Sequence, residues 1–178
     1  LNCGGAITGV VSGTGTNTLI FTPGAVLPTG TLCTATAVAA NISDSDLNDP
    51  PNLLAADSVR TFTTDAPPSV TSTAPVNGAT AQPATGTITV NFSESVNFST
   101  VANAANTSFD LECPSGTPTN FTVSTASPAA TVVLDPLDSA IAGQTCTLSV
   151  RAVGITDLDA GDPPDNMLAD FVASFAFS

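Results

Sequence analysis

Apolar residues along this chain fall in short blocks broken by Thr, Ser, Asn, Gly and Pro, and inside the blocks they alternate with polar ones. In "TITVNFS" (87–93), Ile88, Val90 and Phe92 are separated by single polar residues, and in "TCTLSVR" (145–151) the same holds for Cys146, Leu148 and Val150. A period of two puts successive side chains on opposite faces, so each segment reads as a strand with one buried face. The same signal predicts strands near 69–73, 87–93, 109–113, 120–124, 130–134, 145–151 and 171–177. About seven short strands in roughly 110 residues, punctuated by turn residues, imply an all-β, two-sheet antiparallel sandwich.

The pattern also recurs at long range. Residues 33–65 align without a gap on residues 146–178, and about 13 of the 33 positions are identical. Upstream, "LNC" (1–3) matches "LEC" (111–113), and "TLIFTPGAVLPTGTLC" matches "TVVLDPLDSAIAGQTC" in its order of apolar residues, Pro, Gly and Cys. The expected organisation is an incomplete copy over 1–65 and a complete copy over 66–178, joined through the stiff, Pro-containing "TTDAPPS" (63–69). The first copy has no counterpart of the opening two strands of the second. A sandwich without them exposes apolar faces and unpaired strand edges, which natural proteins avoid. Either the chain is a window on a longer tandem array, or a neighbouring chain supplies the strands by β-strand addition.

Composition then works by exclusion. Arg60 and Arg151 are the only cationic side chains, against 15 acidic residues, for a formal charge of −13 and a pI of about 4.1. Phosphate binding needs clustered Lys and Arg, so nucleic acid is excluded as a partner and anionic membrane surfaces are disfavoured. No apolar run approaches the roughly 20 residues that span a bilayer, so no membrane insertion is expected. The segment "LNCGGAITG" has no basic stretch followed by an apolar one, so it does not read as a signal peptide, and the chain is expected to be a mature product or an excerpt. Apolar residues still make up 42% of the chain, enough to build a core.

The string "PSVTSTAPVNGAT…GTITVNFSESV…CTLSVRAVGITDLDAGDPPDN…FAFS" resembles the bacterial Ig-like domains typified by SbsA-type S-layer proteins. The resemblance rests on the "P-x-NGA" turn (Pro75, Asn77, Gly78, Ala79), the "I-x-V-x-FSE" strand (Ile88, Val90, Phe92, Ser93, Glu94) and the closing "F-x-F" (Phe175, Phe177). It covers all of the second copy, and the first from its third strand onward. It implies tandem Ig-like antiparallel β-sandwich domains, the first lacking its N-terminal strands, in a secreted or surface-anchored bacterial protein. Such domains serve as spacers or adhesive modules and sometimes accompany secreted hydrolases. The family has no shared catalytic site to carry over.

Cys3 and Cys33, and Cys113 and Cys146, stand at matching repeat positions, so one disulfide inside each copy is expected, in an oxidising compartment. Four buried free thiols are the alternative. Zinc is disfavoured, because there is no His and no C-x-x-C pair. The acidic loop "ITDLDAGDPPDN" (155–166) recurs as "ISDSDLNDPPNL" (42–53). It aligns Asp157, Asp159, Asp162 and Asp165 with Asp44, Asp46, Asp49 and Asn52. Such spacing lets carboxylates converge on Ca²⁺, the one cofactor the sequence suggests, but the Gly and Glu of an EF-hand loop are missing. Asp and Asn are equally ordinary turn residues that bond their own backbone. Glu94 is expected just past a strand, fixing the next turn. The N-x-S/T triplets at Asn41, Asn91, Asn97, Asn106 and Asn120 are uninformative in so Thr- and Ser-rich a chain.

Catalysis lacks its usual groups, since there is no His for base chemistry and no Lys for Schiff bases, and the thiols are expected to be paired. Sugar stacking lacks Trp and Tyr, and the nine Phe read as core residues. The sequence therefore points to a non-enzymatic, extracellular structural or adhesive repeat of a bacterial surface protein, adhesin or filament. Its expected partners are neighbouring repeats or other copies of itself, possibly joined head to tail by strand complementation. The rival reading is an accessory module of a secreted hydrolase such as a nuclease or esterase.

Overall fold

The alternating segments pair into antiparallel ladders along the whole chain. The computed structural model describes residues 1–46, 48, 50–103, 107–159 and 164–178, with Asp138 as backbone alone. These residues form two units, Leu1–Ala66 and Pro67–Ser178.

The first unit holds four strands. β1 (Gly9–Ser12) pairs with β2 (Ile20–Pro23), and β3 (Leu32–Ala37) pairs with β4 (Ser58–Thr63). Asn2 bridges Thr34, so the residues before Cys3 add a short third rung to β3. Between β3 and β4 the chain makes one 3-10 turn at Ala39–Asn41, and the Asp57 carboxylate accepts the Ala39 N–H at 2.8 Å.

The second unit is a sandwich. Its larger sheet joins β5 (Val70–Ala74), β6 (Ile88–Val96), β9 (Ala129–Pro136) and β8 (Phe121–Val123) in the order β5-β6-β9-β8, and the smaller joins β7 (Phe109–Glu112), β10 (Thr145–Val150) and β11 (Phe171–Ala176) with β10 in the middle. Thr and Val suit the pleat, and every second side chain turns inward. Ile88 and Val90 of β6, Val132 and Leu134 of β9, Leu111 of β7, Leu148 and Val150 of β10 and Phe175 of β11 form one buried cluster. Each such side chain contributes about 1.5–3 kcal/mol on full burial, which makes this cluster the main source of stability. Phe98 meets Phe109 edge to face, with ring centroids 5.9 Å apart.

Two local features depart from simple alternation. β6 continues beyond residue 93, because a register irregularity between Asn91 and Val96 absorbs extra residues and returns Val96 to the core. Glu94 therefore lies inside the strand, half-buried, rather than just past it. A bulge hides a strand from a period-two search because it breaks the period itself. The second feature is a single helical turn, α1 (Asp138–Ile141), whose Ile141 is fully buried.

The "P-x-NGA" turn has a mechanical role. Gly78 takes a positive φ of 83°, a region where a Cβ is strained. That turn lets Gly78 N–H donate to the Ser174 carbonyl at 2.7 Å, and Asn77 Oδ1 accept the Ser174 N–H at 2.9 Å. The segment thereby straps the outer edge of β11.

Register links the units residue by residue. Leu32 faces Thr63 and Ala37 faces Ser58, as Thr145 faces Ala176 and Val150 faces Phe171. Val11 faces Phe21 as Val123 faces Leu134. A 3-10 turn follows at Ala152–Gly154, and Asp170 accepts the Ala152 N–H at 2.8 Å, as Asp57 does for Ala39. So β1, β2, β3 and β4 take the places of β8, β9, β10 and β11. Among the described residues of the first unit, nothing takes the places of β5 and β6.

Candidate functional site

Without those strands, the inward side of the first unit is an open groove of about 890 Å³ between the β1-β2 ribbon and the β3-β4 hairpin. Val11, Leu19, Phe21, Ala35 and Phe62 line it. Phe62 is 42% exposed and Leu19 48%, whereas Phe175 and Val132, at the same register positions of the second unit, are 1% and 0% exposed. An apolar surface of this kind on a folded unit marks a place where another apolar surface is received. The expectation that all nine Phe belong to a core fails for Phe21 and Phe62, because the strands that would cover them are missing.

Arg60 is the residue that alternation alone did not single out. Ser58, Arg60 and Phe62 lie two apart on β4 and all line the groove, so Arg60 points inward. The same register position in the second unit, opposite Leu148, is Ala173 at 1% exposure. A guanidinium thus stands where the complete sandwich keeps a methyl group. Its Nη1 donates to the Val59 carbonyl at 2.8 Å, and among the described residues the salt bridges belong to Arg151 instead. The signal was present in the aligned copies, as the pairing of Arg60 with Ala173.

The four cysteines close one bridge in each unit. Cys3–Cys33 has an S–S distance of 2.04 Å and Cys113–Cys146 one of 2.02 Å. Each ties the segment ahead of the unit's first hairpin to the strand that follows it.

The acidic loops have the same backbone scaffold twice. Asp44 N–H donates to Asn52 carbonyl at 3.0 Å, and Asp157 N–H donates to Asp165 carbonyl at 2.9 Å. In the second unit Asn97 anchors the loop, donating its side-chain amide to the Asp157 carbonyl at 2.9 Å. Asp157 is buried, and one of its carboxylate oxygens lies within 4.8 Å of one from exposed Asp159. These two could contribute to holding a cation, but calcium takes about six to eight oxygens. Asp165 and Asn52 are half-buried, Asp44 and Asp46 are exposed, and Asp49 and Asp162 lie outside the described residues. The Asp165 Oδ1 and Asn52 Oδ1 atoms are buried without a hydrogen-bond partner among the described residues.

Arg151 makes the other charged constellation. It donates through Nε to Asp110 at 2.6 Å and through Nη1 to Asp170 at 3.1 Å, pinning β7 to the start of the acidic loop. The Ala152 N–H, and after it Arg151, hold the Asp170 carboxyl below the usual carboxylate range. All three side chains are partly solvated, so this clamp positions backbone and forms no pocket.

Among the described residues no helix is long and apolar enough to cross a membrane. No curated protein matches the chain. A family profile described as "Bacterial Ig-like domain" matches residues 65–178, which takes in both sheets of the sandwich and the "P-x-NGA", "FSE" and "F-x-F" elements. The chain belongs to the bacterial Ig-like domain family.

Proposed function

We propose that this chain is a non-catalytic, extracellular structural or adhesive module of a bacterial surface protein or filament. Its two units are two copies of one repeat of the kind found in S-layer proteins, the first entering at its third strand. Family membership supports a surface or structural role in general, since bacterial Ig-like domains are modules without a catalytic centre. The two disulfides suit an oxidising, extracytoplasmic setting.

The observation that carries the proposal furthest is the open groove of the first unit, set against the filled interior of the second. A strand donated by another chain would close that groove and leave the donor's own groove free for the next subunit. Such a heterologous contact builds a linear fibre rather than a closed ring. Purified chain at tens of micromolar, followed by light scattering and negative-stain electron microscopy, is expected to form fibres. A dispersed monomer at every concentration and after long incubation would refute assembly.

A further inference from the structure

We infer that the groove of the first unit receives a β-strand of a separate polypeptide, lying antiparallel along β2, with apolar side chains at alternate positions and one carboxylate among them that pairs with Arg60. This rests on the strand-complementation reading above and specifies the donor.

The second unit supplies the geometry. There β6 lies antiparallel on β9, with Ile88 opposite Leu134 and Val90 opposite Val132. Phe21 and Leu19 of the β1-β2 segment occupy the places of Leu134 and Val132, and β2 pairs on one side only. A donor in the same register sets one inward side chain opposite Phe21 and the next opposite Leu19. It completes the ladder of β2 with main-chain hydrogen bonds and covers the exposed apolar residues.

Arg60 supplies the chemistry. A purely apolar strand would enclose a guanidinium with no counter-charge, and a guanidinium cannot escape by losing its proton. A carboxylate on the inward face of the donor removes that penalty. The inward side chains of β6 itself are Ile88, Val90 and Phe92, with no carboxylate among them. Arg60 therefore also selects against the chain's own β6, the strand most able to slip between units of different copies and exchange them. Attraction for an acidic donor and rejection of an apolar one come from the same side chain.

The test titrates the full chain with four synthetic peptides: GTITVNFSESV, which copies residues 86–96, and its I88E, V90E and F92E derivatives. Binding is read by calorimetry, and the site is located by hydrogen-exchange protection of β2 amides. One glutamate peptide is expected to bind about tenfold or more tightly than the parent, the effect of one well-placed ion pair. In Arg60→Leu that order should reverse, with the parent gaining and the glutamate peptide losing. Leu19→Asp, at an exposed position, should remove binding of all four.

Equal binding of all peptides, or an Arg60→Leu chain that keeps the wild-type order, would overturn the assigned donor chemistry. Absence of binding at millimolar peptide in both wild type and Arg60→Leu would overturn the groove as a strand acceptor. Fibres without peptide binding leave the proposed function standing and sink this inference, whereas peptide binding without fibres does the opposite.

Discussion

Phe62 and Phe175 occupy one register position in two units, each opposite the second cysteine of its disulfide, yet Phe62 is 42% exposed and Phe175 is 1% exposed. The difference lies in what covers them, since the hairpins that carry them pair identically. Removing Phe175 deletes a filled core site, so Phe175→Ala is expected to cost about 3–5 kcal/mol of unfolding free energy. Phe62→Ala deletes surface already in contact with water and should cost less than about 1 kcal/mol in the isolated chain. Urea denaturation of both variants measures the contrast. Equal losses would mean that the groove is filled in solution.

The bridges make a second prediction. Mass mapping under non-reducing conditions should recover Cys3 linked to Cys33 and Cys113 linked to Cys146. A 3–113 or 33–146 link would contradict the fold. Replacing Cys113 and Cys146 together by Ala should lower the stability of the second unit by about 2–5 kcal/mol, the usual loss for a native bridge in a small domain. Thermal unfolding followed by circular dichroism reads it out.

Most of the sandwich was legible because its strands keep strict alternation on one buried face, as in Ile88, Val90 and Phe92. The end of β6 was not, because its bulge at Ser93–Ser95 breaks the period. Burial was legible only where both sheets exist. Phe21 and Phe62 look like core residues in any pattern search, since hydropathy says nothing about whether the covering strand is present. Arg60 becomes meaningful only when its register partner Ala173 is known to be buried. The acidic loops were easy to find by repetition, but convergence of their oxygens depends on loop geometry that spacing alone does not determine.

Asp170 gives a pH signature. Its carboxyl is held below the usual range, first by the Ala152 N–H and then by Arg151, so the folded state favours its charged form. A carboxylate with a depressed folded pKa contributes stability above its unfolded pKa, and loses it as pH falls through the folded value. Asp170→Asn keeps an oxygen for Ala152 and removes the charge. It should cost no more than about 1 kcal/mol at neutral pH, given the solvent screening of this exposed pair. The gap between wild type and variant should then close as the pH is lowered below the ordinary carboxylate range. A gap that persists at the lowest pH would assign the loss to the hydrogen bond instead.

Gly154 tests how closely the 3-10 turn of the second unit must approach the residues before β7. A Cβ on Gly154 would lie 2.7 Å from both the carbonyl carbon and oxygen of Thr107, and 2.8 Å from the Ser108 Cα. Backbone atoms cannot swing aside as a side-chain tip can. The turn is also pinned there, with Ser108 Oγ donating to the Gly154 carbonyl at 2.7 Å and Arg151 N–H donating to the Ser108 carbonyl at 2.9 Å. Gly154→Ala must therefore push the turn outward or stretch both bonds, and is expected to cost about 1–3 kcal/mol, the range for overpacking a filled site. The first unit carries Asn41 at this position, lining the open groove. Asn41→Ala should leave stability within about 0.5 kcal/mol of wild type. Chemical denaturation of the two variants side by side checks both values. A harmless Gly154→Ala would mean that the approach of the turn to Thr107 is looser in solution than these distances require.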